Sequence, residues 1–348
     1  MPDPDHPQAA PGPSAEPAVG ELAGWAEDES EEPSDAGASE LRSLAIGPVQ
    51  HAQRLDRALA ELVPELSRSY LQQLMAQGCV TLQGRLATKA STKVKVGDQV
   101  VLEMRPTLQS QAFRPENMAL DMVYEDEHLL IVNKPAGLVV HPAPGNWSGT
   151  LLNGLLARDA KALLVPRAGI VHRLDKDTSG LMVVARDRAT MDALVNLIAA
   201  RKVQRQYVAL AQGAWTGQTC VTVDAPIGRD PRNRLRMAVV DLALHAGKTA
   251  RTDVRLLAST DRGCWVQCTL HPGRTLQIRV HMAMLGYPLV GDLLYGGAPI
   301  DGLRRQALHA YRLAFEHPAT GAALEFFAPV PEDIRGALAS WGLSYNVP

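Results

Sequence analysis

Residues 172–180 (HRLDKDTSG) gather groups that could do acid–base or nucleophilic chemistry, and they lie between two apolar runs, 169–171 and 181–185. Burying an unpaired carboxylate is costly, so Asp175 and Asp177 are expected to be either paired or used in a cleft. The alternative interpretation is a polar turn between two strands, which Asp177 and Ser179 would favour as turn-forming residues.

The composition limits the class of protein. The 348 residues are enough for two domains and an extension, and a hydrophobic content of 46% is ordinary for a soluble protein. No apolar run is long enough for a membrane span and no secretory signal is visible, so we expect a cytoplasmic protein without a membrane partner. The four cysteines (Cys79, Cys220, Cys264 and Cys268) form no CxxC pair, so we expect reduced thiols and no metal site.

Charge is unevenly distributed along the chain. Residues 1–42 hold eleven acidic residues and one basic residue, a net charge of −10. Because the whole chain carries −2, the remaining residues carry +8. A basic body favours a polyanionic partner, although the acidic segment could also serve solubility alone. Residues 1–48 are predicted to be a disordered acidic extension.

A small helical and stranded region follows the extension. Leu55, Leu59 and Leu62 recur at helical spacing up to Pro64, which ends that helix. A second helix is predicted from a cap at Ser67 to a stop at Gly78. Short strands are predicted next, at 80–82, 94–96 and 100–102.

The larger region is predicted to be α+β with a largely antiparallel sheet, because strand-like runs outnumber helical ones. Strands are predicted at 129–132, 207–211 and 265–270, and Met191, Leu194, Val195 and Ile198 mark an amphipathic helix. The predicted boundaries are 49–105 for the small domain, 106–118 for a linker and 119–348 for the large domain.

The run HRLDKDTSG also resembles the signature of the ribosomal large-subunit pseudouridine synthases, and Lys134, Pro135 and Gly137 resemble an earlier block of that family. Residues 54–57 (RLDR), 67–69 (SRS) and 94–98 (VKVGD) resemble the S4 RNA-binding domain. The resemblance covers about residues 50–340. It implies an S4 domain of two helices and a small sheet, followed by a catalytic domain whose mixed, largely antiparallel sheet is flanked by helices and loops.

The reaction that the resemblance implies breaks the N1–C1′ bond of a uridine, turns the base, joins C5 to C1′ and releases the C5 proton. No redox change occurs, so we expect no cofactor and no metal. The chain shows no GxGxxG fingerprint, no Walker motif and no cluster of metal-ligand residues, which agrees with that expectation.

The resemblance assigns three catalytic residues. Asp175 is implied to be the essential carboxylate, which either attacks the nucleotide or removes a sugar proton, and the sequence leaves both routes open. Arg279, in a segment that resembles the third block, is implied to pair with Asp175 and keep it ionised. The alternation of Ile278 and Val280 around it predicts a strand. Tyr207 is implied to stack on the target base and help remove the C5 proton.

Positive side chains are the candidates for RNA contacts. Arg173 is implied to fill the space left by the flipped nucleotide, and it could instead bind a phosphate. Five residues of the small domain are predicted to form one basic face that contacts phosphates, the alternative being an ordinary solvated face: Arg54, Arg57, Arg68, Lys93 and Lys95. Leu276 departs from the family, many of whose members have a histidine there.

We therefore expect site-specific isomerisation of uridine in RNA, with large-subunit ribosomal RNA or a pre-ribosomal particle as partner, by a monomer. Asn146 with 149–150, and 291–292 with 295–296, resemble the subgroup that acts on this RNA. Three alternatives remain: a non-catalytic RNA-binding assembly factor, a synthase for another ribosomal site or for transfer RNA, and a metal-dependent phosphodiesterase using Asp175 and Asp177.

Overall fold

The computed structural model of the protein describes residues 40–344, except 65, 67, 105–111, 144, 234–235, 272 and 301. Residues 1–39 of the predicted acidic extension lie outside the described residues, as do Ser67 and residues 106–111 of the predicted linker. Residues 40–45, which the sequence interpretation assigned to the extension, instead form a strand that pairs with residues 99–104. Leu44 of this strand packs against the core of the small domain, so the strand precedes the start predicted for that domain at 49.

The small domain contains two helices on one four-stranded antiparallel sheet, in the order β1-β4-β2-β3. Its elements are β1 (Glu40–Ala45), α1 (Leu55–Leu62), α2 (Arg68–Ala76), β2 (Val80–Leu82), β3 (Arg85–Leu86) and β4 (Gln99–Met104). The apolar positions that predicted the helices, such as Leu55, Leu59, Leu71 and Leu74, are fully buried between helices and sheet. Both predicted helices are thus confirmed.

The strand predicted at 94–96 is wrong. Val94 is buried in the core of the small domain, but the chain then turns at 95–98, where the Asp98 carboxylate accepts a hydrogen bond from the Lys95 backbone N–H at 2.8 Å. A short aspartate side chain that bonds to nearby backbone favours a turn over a strand.

The large domain is built on a nine-stranded sheet whose order is β5-β6-β7-β15-β8-β14-β13-β9, with β16 paired to β15. Within the described residues, β7 and β15 run parallel and the other neighbours are antiparallel, as predicted. The sheet strands are β5 (Asp121–Glu125), β6 (Leu129–Lys134), β7 (Ser179–Ala185), β8 (Gln204–Gln212), β9 (Cys220–Asp224), β13 (Arg251–Ser259), β14 (Gly263–Leu270), β15 (Leu308–Glu316) and β16 (Ala323–Phe327).

Helices cover the sheet, and a separate three-stranded sheet lies between β9 and β13 in the chain. The helices are α3 (Leu151–Arg158), α4 (Arg188–Ala199), α5 (Gln277–Met284) and α6 (Glu332–Ser340), and the small sheet is β10 (Ile227–Arg229), β11 (Met237–Val239) and β12 (Gly247–Lys248). Side chains bonded to backbone N–H groups begin two of the helices, Thr150 at α3 and Asp187 at α4. The predicted α+β fold class is confirmed.

The strand that follows the signature is the most buried part of the sheet. All seven residues of β7 are buried, since β6 and β15 flank it and side chains pack on both of its faces. Gly180 is required there, because its φ is +117° and a Cβ atom would lie 2.2 Å from the Ala310 carbonyl oxygen. Residues 172–178 therefore enter the sheet at a fixed position.

None of the helices between residues 40 and 344, in the part of the chain that the structure describes, is both long and apolar enough to cross a bilayer. All four cysteines are free thiols; Cys79, Cys264 and Cys268 are buried, whereas Cys220 is exposed.

Candidate active site

Lys134, at the end of β6, holds the loop that carries Asp175 in place through hydrogen bonds to backbone carbonyl groups. The Lys134 ammonium group is fully buried and donates to the carbonyl oxygens of Pro135 (2.8 Å), Leu138 (2.9 Å) and Lys176 (2.9 Å). Gly137 also donates its backbone N–H to the Lys176 carbonyl at 2.9 Å. One cation thus ties the turn at residues 134–137 to the signature loop, which gives that turn a structural role.

Burial lowers the pKa of Lys134 to about 7, although the negative charges of Asp175 and Asp177 act in the opposite direction. Transfer of an ammonium group out of water disfavours its charged form. Lys134 therefore contributes a positive charge near Asp175 that decreases as the pH rises above about 7.

The far side of the same loop is fixed by side chains from β15 and the segment before it. Ser179 Oγ lies 2.9 Å from His309 Nδ1, and Gln306 donates to Thr178 Oγ1 at 3.2 Å. Arg305 donates to the Asp177 carbonyl oxygen at 3.0 Å while its other nitrogens bind Asp333 in α6. The loop uses the carbonyl of Asp177 as a structural acceptor.

Asp175 faces Arg279, as the resemblance implied. Arg279 Nη1 lies 3.5 Å from Asp175 Oδ2, and the two side chains are 11% and 19% exposed. The other edge of the guanidinium forms a two-pronged pair with Asp292, with Nε–Oδ2 at 2.6 Å and Nη2–Oδ1 at 2.8 Å. Asp292 is fully buried, so it holds Arg279 in place while one nitrogen is left for Asp175.

Burial raises the pKa of the Asp175 carboxyl above its ordinary value. The positive charges of Arg279 and Arg173 oppose that rise, whereas the negative charge of Asp292 adds to it. The carboxyl is thus poorly solvated and only partly compensated, which makes its ionised form more reactive than a carboxylate fully bonded to donors.

Arg279 lies on a helix, and the predicted strand is wrong. It is the third residue of α5, which begins after Leu276 in a left-handed conformation (φ 57°). Ile278, Val280 and Met282 are all buried because the short helix is enclosed by its neighbours. A helix buried on several sides loses its polar stripe, so alternating β-branched residues resemble a strand.

The ring of Tyr295 packs against the flat face of the Arg279 guanidinium, whose edges contact the two carboxylates. The guanidinium carbon lies 5.3 Å from the centre of the Tyr295 ring. The phenol accepts from the Met237 backbone N–H at 3.1 Å and donates to the Met237 carbonyl at 2.9 Å, which links it to β11. Burial raises the pKa of Tyr295 to about 12, so the phenol stays neutral.

Sequence reasoning missed the roles of Asp292 and Tyr295. The signal was present, since 291–292 and 295–296 were noted as resembling a subgroup, but no contact could be deduced from them. Their pairing with Arg279 requires α5 to pack beside the segment after it, which is a property of the tertiary structure.

Tyr207 lies on β8, two strands away from β7, and is 5% exposed. It packs in the same core cluster as Leu174 and Ile278, the neighbours of the signature aspartate and of Arg279. Burial raises the pKa of the Tyr207 phenol and the charge of Asp175 adds to the rise. The structure therefore brings together Asp175, Arg279 and Tyr207, which are far apart in the chain.

Comparison with known proteins identifies the family of this chain. The model of the RNA pseudouridylate synthase family matches residues 128–284, and the S4 domain model matches residues 53–100. Ribosomal large subunit pseudouridine synthase D from Neisseria meningitidis serogroup B is 46% identical over 299 residues, which cover 82% of this chain and 78% of the relative. The chain belongs to the RNA pseudouridine synthase family.

Of two further comparisons, a second curated relative supports the same family and a solved structure supports the fold alone. The pseudouridine synthase D of Xanthomonas campestris pv. campestris is 45% identical over 326 residues, 90% of this chain and 95% of the relative. The solved structure of human RNA Pseudouridylate Synthase Domain Containing 4 has a TM-score of 0.51 and 23% identity, covers 65% of this chain and 94% of that chain, and supports the fold.

Arg173 is exposed at the outer end of the signature loop of the synthase. Its positive charge lowers the pKa of Asp175 and, after the larger effect of burial, that of His141. Arg173 is thus close to the Asp175 carboxyl yet open to solvent, a position that fits either role expected for it.

The predicted basic face of the S4 domain is centred on the buried Asp56. Arg54 binds both Asp56 oxygens, at 3.0 and 3.2 Å, and Arg68 binds Oδ2 at 3.0 and 2.7 Å. Gln72 donates to Oδ2 at 2.7 Å. Lys93 is exposed and pairs its backbone with Arg54, so these three cations lie together.

The other two predicted contacts lie outside that cluster. Arg57 is 65% exposed and donates to Glu61 Oε1 at 3.3 Å along α1. Lys95 is exposed in the turn closed by Asp98. The contribution of all five residues to RNA binding stays a prediction.

Proposed function

We propose that this synthase isomerises specific uridines to pseudouridine in large-subunit ribosomal RNA, with Asp175 as the catalytic carboxylate. The observation that carries the proposal is the contact between Asp175 and Arg279 in a chain whose relatives are named ribosomal large subunit pseudouridine synthase D. The S4 domain would bind this RNA in the cytoplasm, either as naked RNA or within a pre-ribosomal particle.

The roles of the residues follow from their surroundings. As nucleophile, Asp175 bonds to C1′ of the flipped uridine while the N1–C1′ bond breaks, and the bond from Asp175 to C1′ breaks in turn when C5 joins C1′. As base, Asp175 removes a sugar proton while the N1–C1′ bond breaks and returns it to the sugar when C5 joins C1′. Arg279 keeps the carboxylate ionised against the effect of burial. Tyr207 contacts the freed base, C5 bonds to C1′, and the C5 proton leaves to solvent. Arg173 occupies the space that the base vacates.

Tritium release from [5-³H]uridine-labelled, unmodified large-subunit RNA tests the proposal. The purified wild type should release tritium in excess EDTA, and Asp175→Asn should not. Asp177→Asn is the matched control, since the loop uses the Asp177 carbonyl for its hydrogen bond to Arg305; it should retain activity within a few-fold.

Absence of release from both naked RNA and assembled subunits would overturn the proposed function. Release by Asp175→Asn would overturn the residue assignment alone. RNA cleavage abolished by EDTA would favour a phosphodiesterase. Binding without release by the wild type would favour the assembly-factor alternative, which the juxtaposed Asp175, Arg279 and Tyr207 argue against.

A further inference from the structure

Arg205 is a buried cation beside the catalytic residues for which the reaction, as described above, has no use. It lies on β8 two residues before Tyr207, so both side chains point to the same face of the sheet. Arg205 is only 6% exposed, and the Nε atom of its side chain has no hydrogen-bond partner. Within the described residues, no carboxylate forms an ion pair with Arg205.

The groups around Arg205 do not compensate its charge. Burial lowers the pKa of Arg205 and the neighbouring positive charge of Arg274 lowers it further, with only the Tyr207 phenol acting the other way. Burial and the charge of Arg205 lower the pKa of His172 to about 3, so the imidazole is neutral. A buried, hydrogen-bonding cation without an anion is unfavourable unless something binds to it.

The contrast with Arg279 shows what is missing at Arg205. Arg279 is held by two hydrogen bonds to Asp292 and a further contact to Asp175. Arg205 has no such carboxylate among the described residues, although the guanidinium fork is suited to bind one anion through several N–H groups. Among the residues that the structure describes, none supplies the anion that would complete this site, so the guanidinium can accept one from a bound substrate.

Gly273 packs directly against the Arg205 guanidinium, so a side chain at this position would displace it. It is exposed in the loop between β14 and α5, and a Cβ atom on it would lie 2.6 Å from Arg205 Nη1. The guanidinium thus lies directly under a residue without a side chain, where a ligand backbone can approach closely. Arg274 beside it adds positive charge to the same loop.

We propose that Arg205 binds a phosphodiester group of the RNA strand whose uridine enters the site, next to the base contact at Tyr207. The inference rests on the proposed function for the identity of the RNA. It assigns to Arg205 the role of a substrate-binding residue and explains why the protein keeps an uncompensated cation in a buried position.

The test measures affinity for an unmodified large-subunit RNA transcript as a function of salt, using the full chain, for wild type, Arg205→Gln and Arg205→Lys. Arg205→Gln should lower affinity about tenfold at 0.1 M salt and reduce the slope of log K against log salt by about 0.7 to 1. Arg205→Lys should keep most of the slope. Arg188→Gln is the control, because Arg188 pairs with Asp192 on the exposed face of α4, and its slope should match the wild type.

Melting temperatures separate this proposal from a structural role. Removing an uncompensated buried charge should leave the Tm of Arg205→Gln equal to or higher than that of the wild type. A lower Tm, or a variant that fails to fold, would overturn the proposal, as would lost affinity with an unchanged salt slope, which would indicate contact with a uracil carbonyl. These readouts need no turnover, so failure of tritium release in the wild type would count against the proposed function alone.

Discussion

Two carboxylates, each beside arginines, show how the same residue types can serve opposite purposes. Asp56 in the S4 domain is fully buried and accepts hydrogen bonds from Arg54, Arg68 and Gln72. Asp175 in the catalytic domain has one contact to Arg279 at 3.5 Å and is 19% exposed. The first carboxylate is saturated with donors, whereas the second retains capacity to react.

The pKa directions of the two carboxyls follow from this difference. The hydrogen bond from Arg54, supported by Arg68 and Gln72, holds the pKa of Asp56 well below its ordinary value although burial opposes it. Burial raises the pKa of Asp175 although Arg279 and Arg173 oppose it. Arg279 stabilises Asp175 less because its closest partner is Asp292. A cation shared with a third group thus leaves a buried carboxylate available for chemistry.

The largest expected effect is that of Asp175→Asn on turnover. The reaction should slow by about 10³-fold or more, about 4 kcal/mol of barrier, because the carboxylate acts on the sugar itself. The Tm should not fall, since the substitution removes a poorly solvated charge. Single-turnover tritium release and a thermal melt check both. A melt lowered by the substitution would mean that Asp175 is structural like Asp56.

Asp292→Asn tests whether Asp292 positions Arg279, the arginine that also contacts Asp175. Turnover should fall about 10- to 100-fold, because Arg279 loses the partner that orients it. Activity requires ionised Asp175, and the charge of Asp292 raises the pKa of that carboxyl. The acid limb of the pH–rate profile should therefore move to lower pH. A loss of rate with an unmoved acid limb would contradict the proposed electrostatic coupling.

Asp56→Asn should lower the stability of the S4 domain and leave the reaction rate unchanged. Loss of the Asp56 carboxylate should lower the free energy of unfolding of this domain by about 1 to 2 kcal/mol, a value discounted because Arg54 and Arg68 are half exposed. Chemical denaturation at neutral pH measures this, and kcat for bound substrate should be unchanged.

The pH dependence of that difference has a defined sign. The pKa of Asp56 is depressed in the folded state, so its contribution is fully present above the ordinary value of 3.8 and is lost as the pH falls below it. The wild type and Asp56→Asn should accordingly converge in stability in acid. A difference that grows in acid would rule out this account.

The smallest expected effect concerns Arg57, an exposed cation of the S4 domain outside the cluster around Asp56. Arg57→Gln should weaken RNA binding about two- to tenfold, with a shallower salt slope, and change stability by about 0.5 kcal/mol or less. Glu61→Gln is the matched control, since it removes the partner of Arg57 and should leave affinity equal or higher. Equal affinities in all three proteins would favour an ordinary solvated face.

Much of the molecule could be predicted because local patterns decided it. Helical spacing at Leu55 and Leu59 gave α1, and the amphipathic pattern at Met191 and Leu194 gave α4. The prediction failed at 94–96, where the Asp98 side chain closes a turn, and at Arg279, where surrounding structure buries a short helix. In both places a partner outside the local pattern decided the conformation.

The sequence by itself determined the family and the order of the domains, and it singled out Asp175 as the proposed catalytic carboxylate, because the contiguous HRLDKDTSG run is specific whatever surrounds it. The tertiary structure alone decided that Asp292 holds Arg279 and that Arg205 is buried with no carboxylate partner in the described part of the chain. Charge compensation depends on distance and burial in three dimensions, and neither can be read from spacing along a chain.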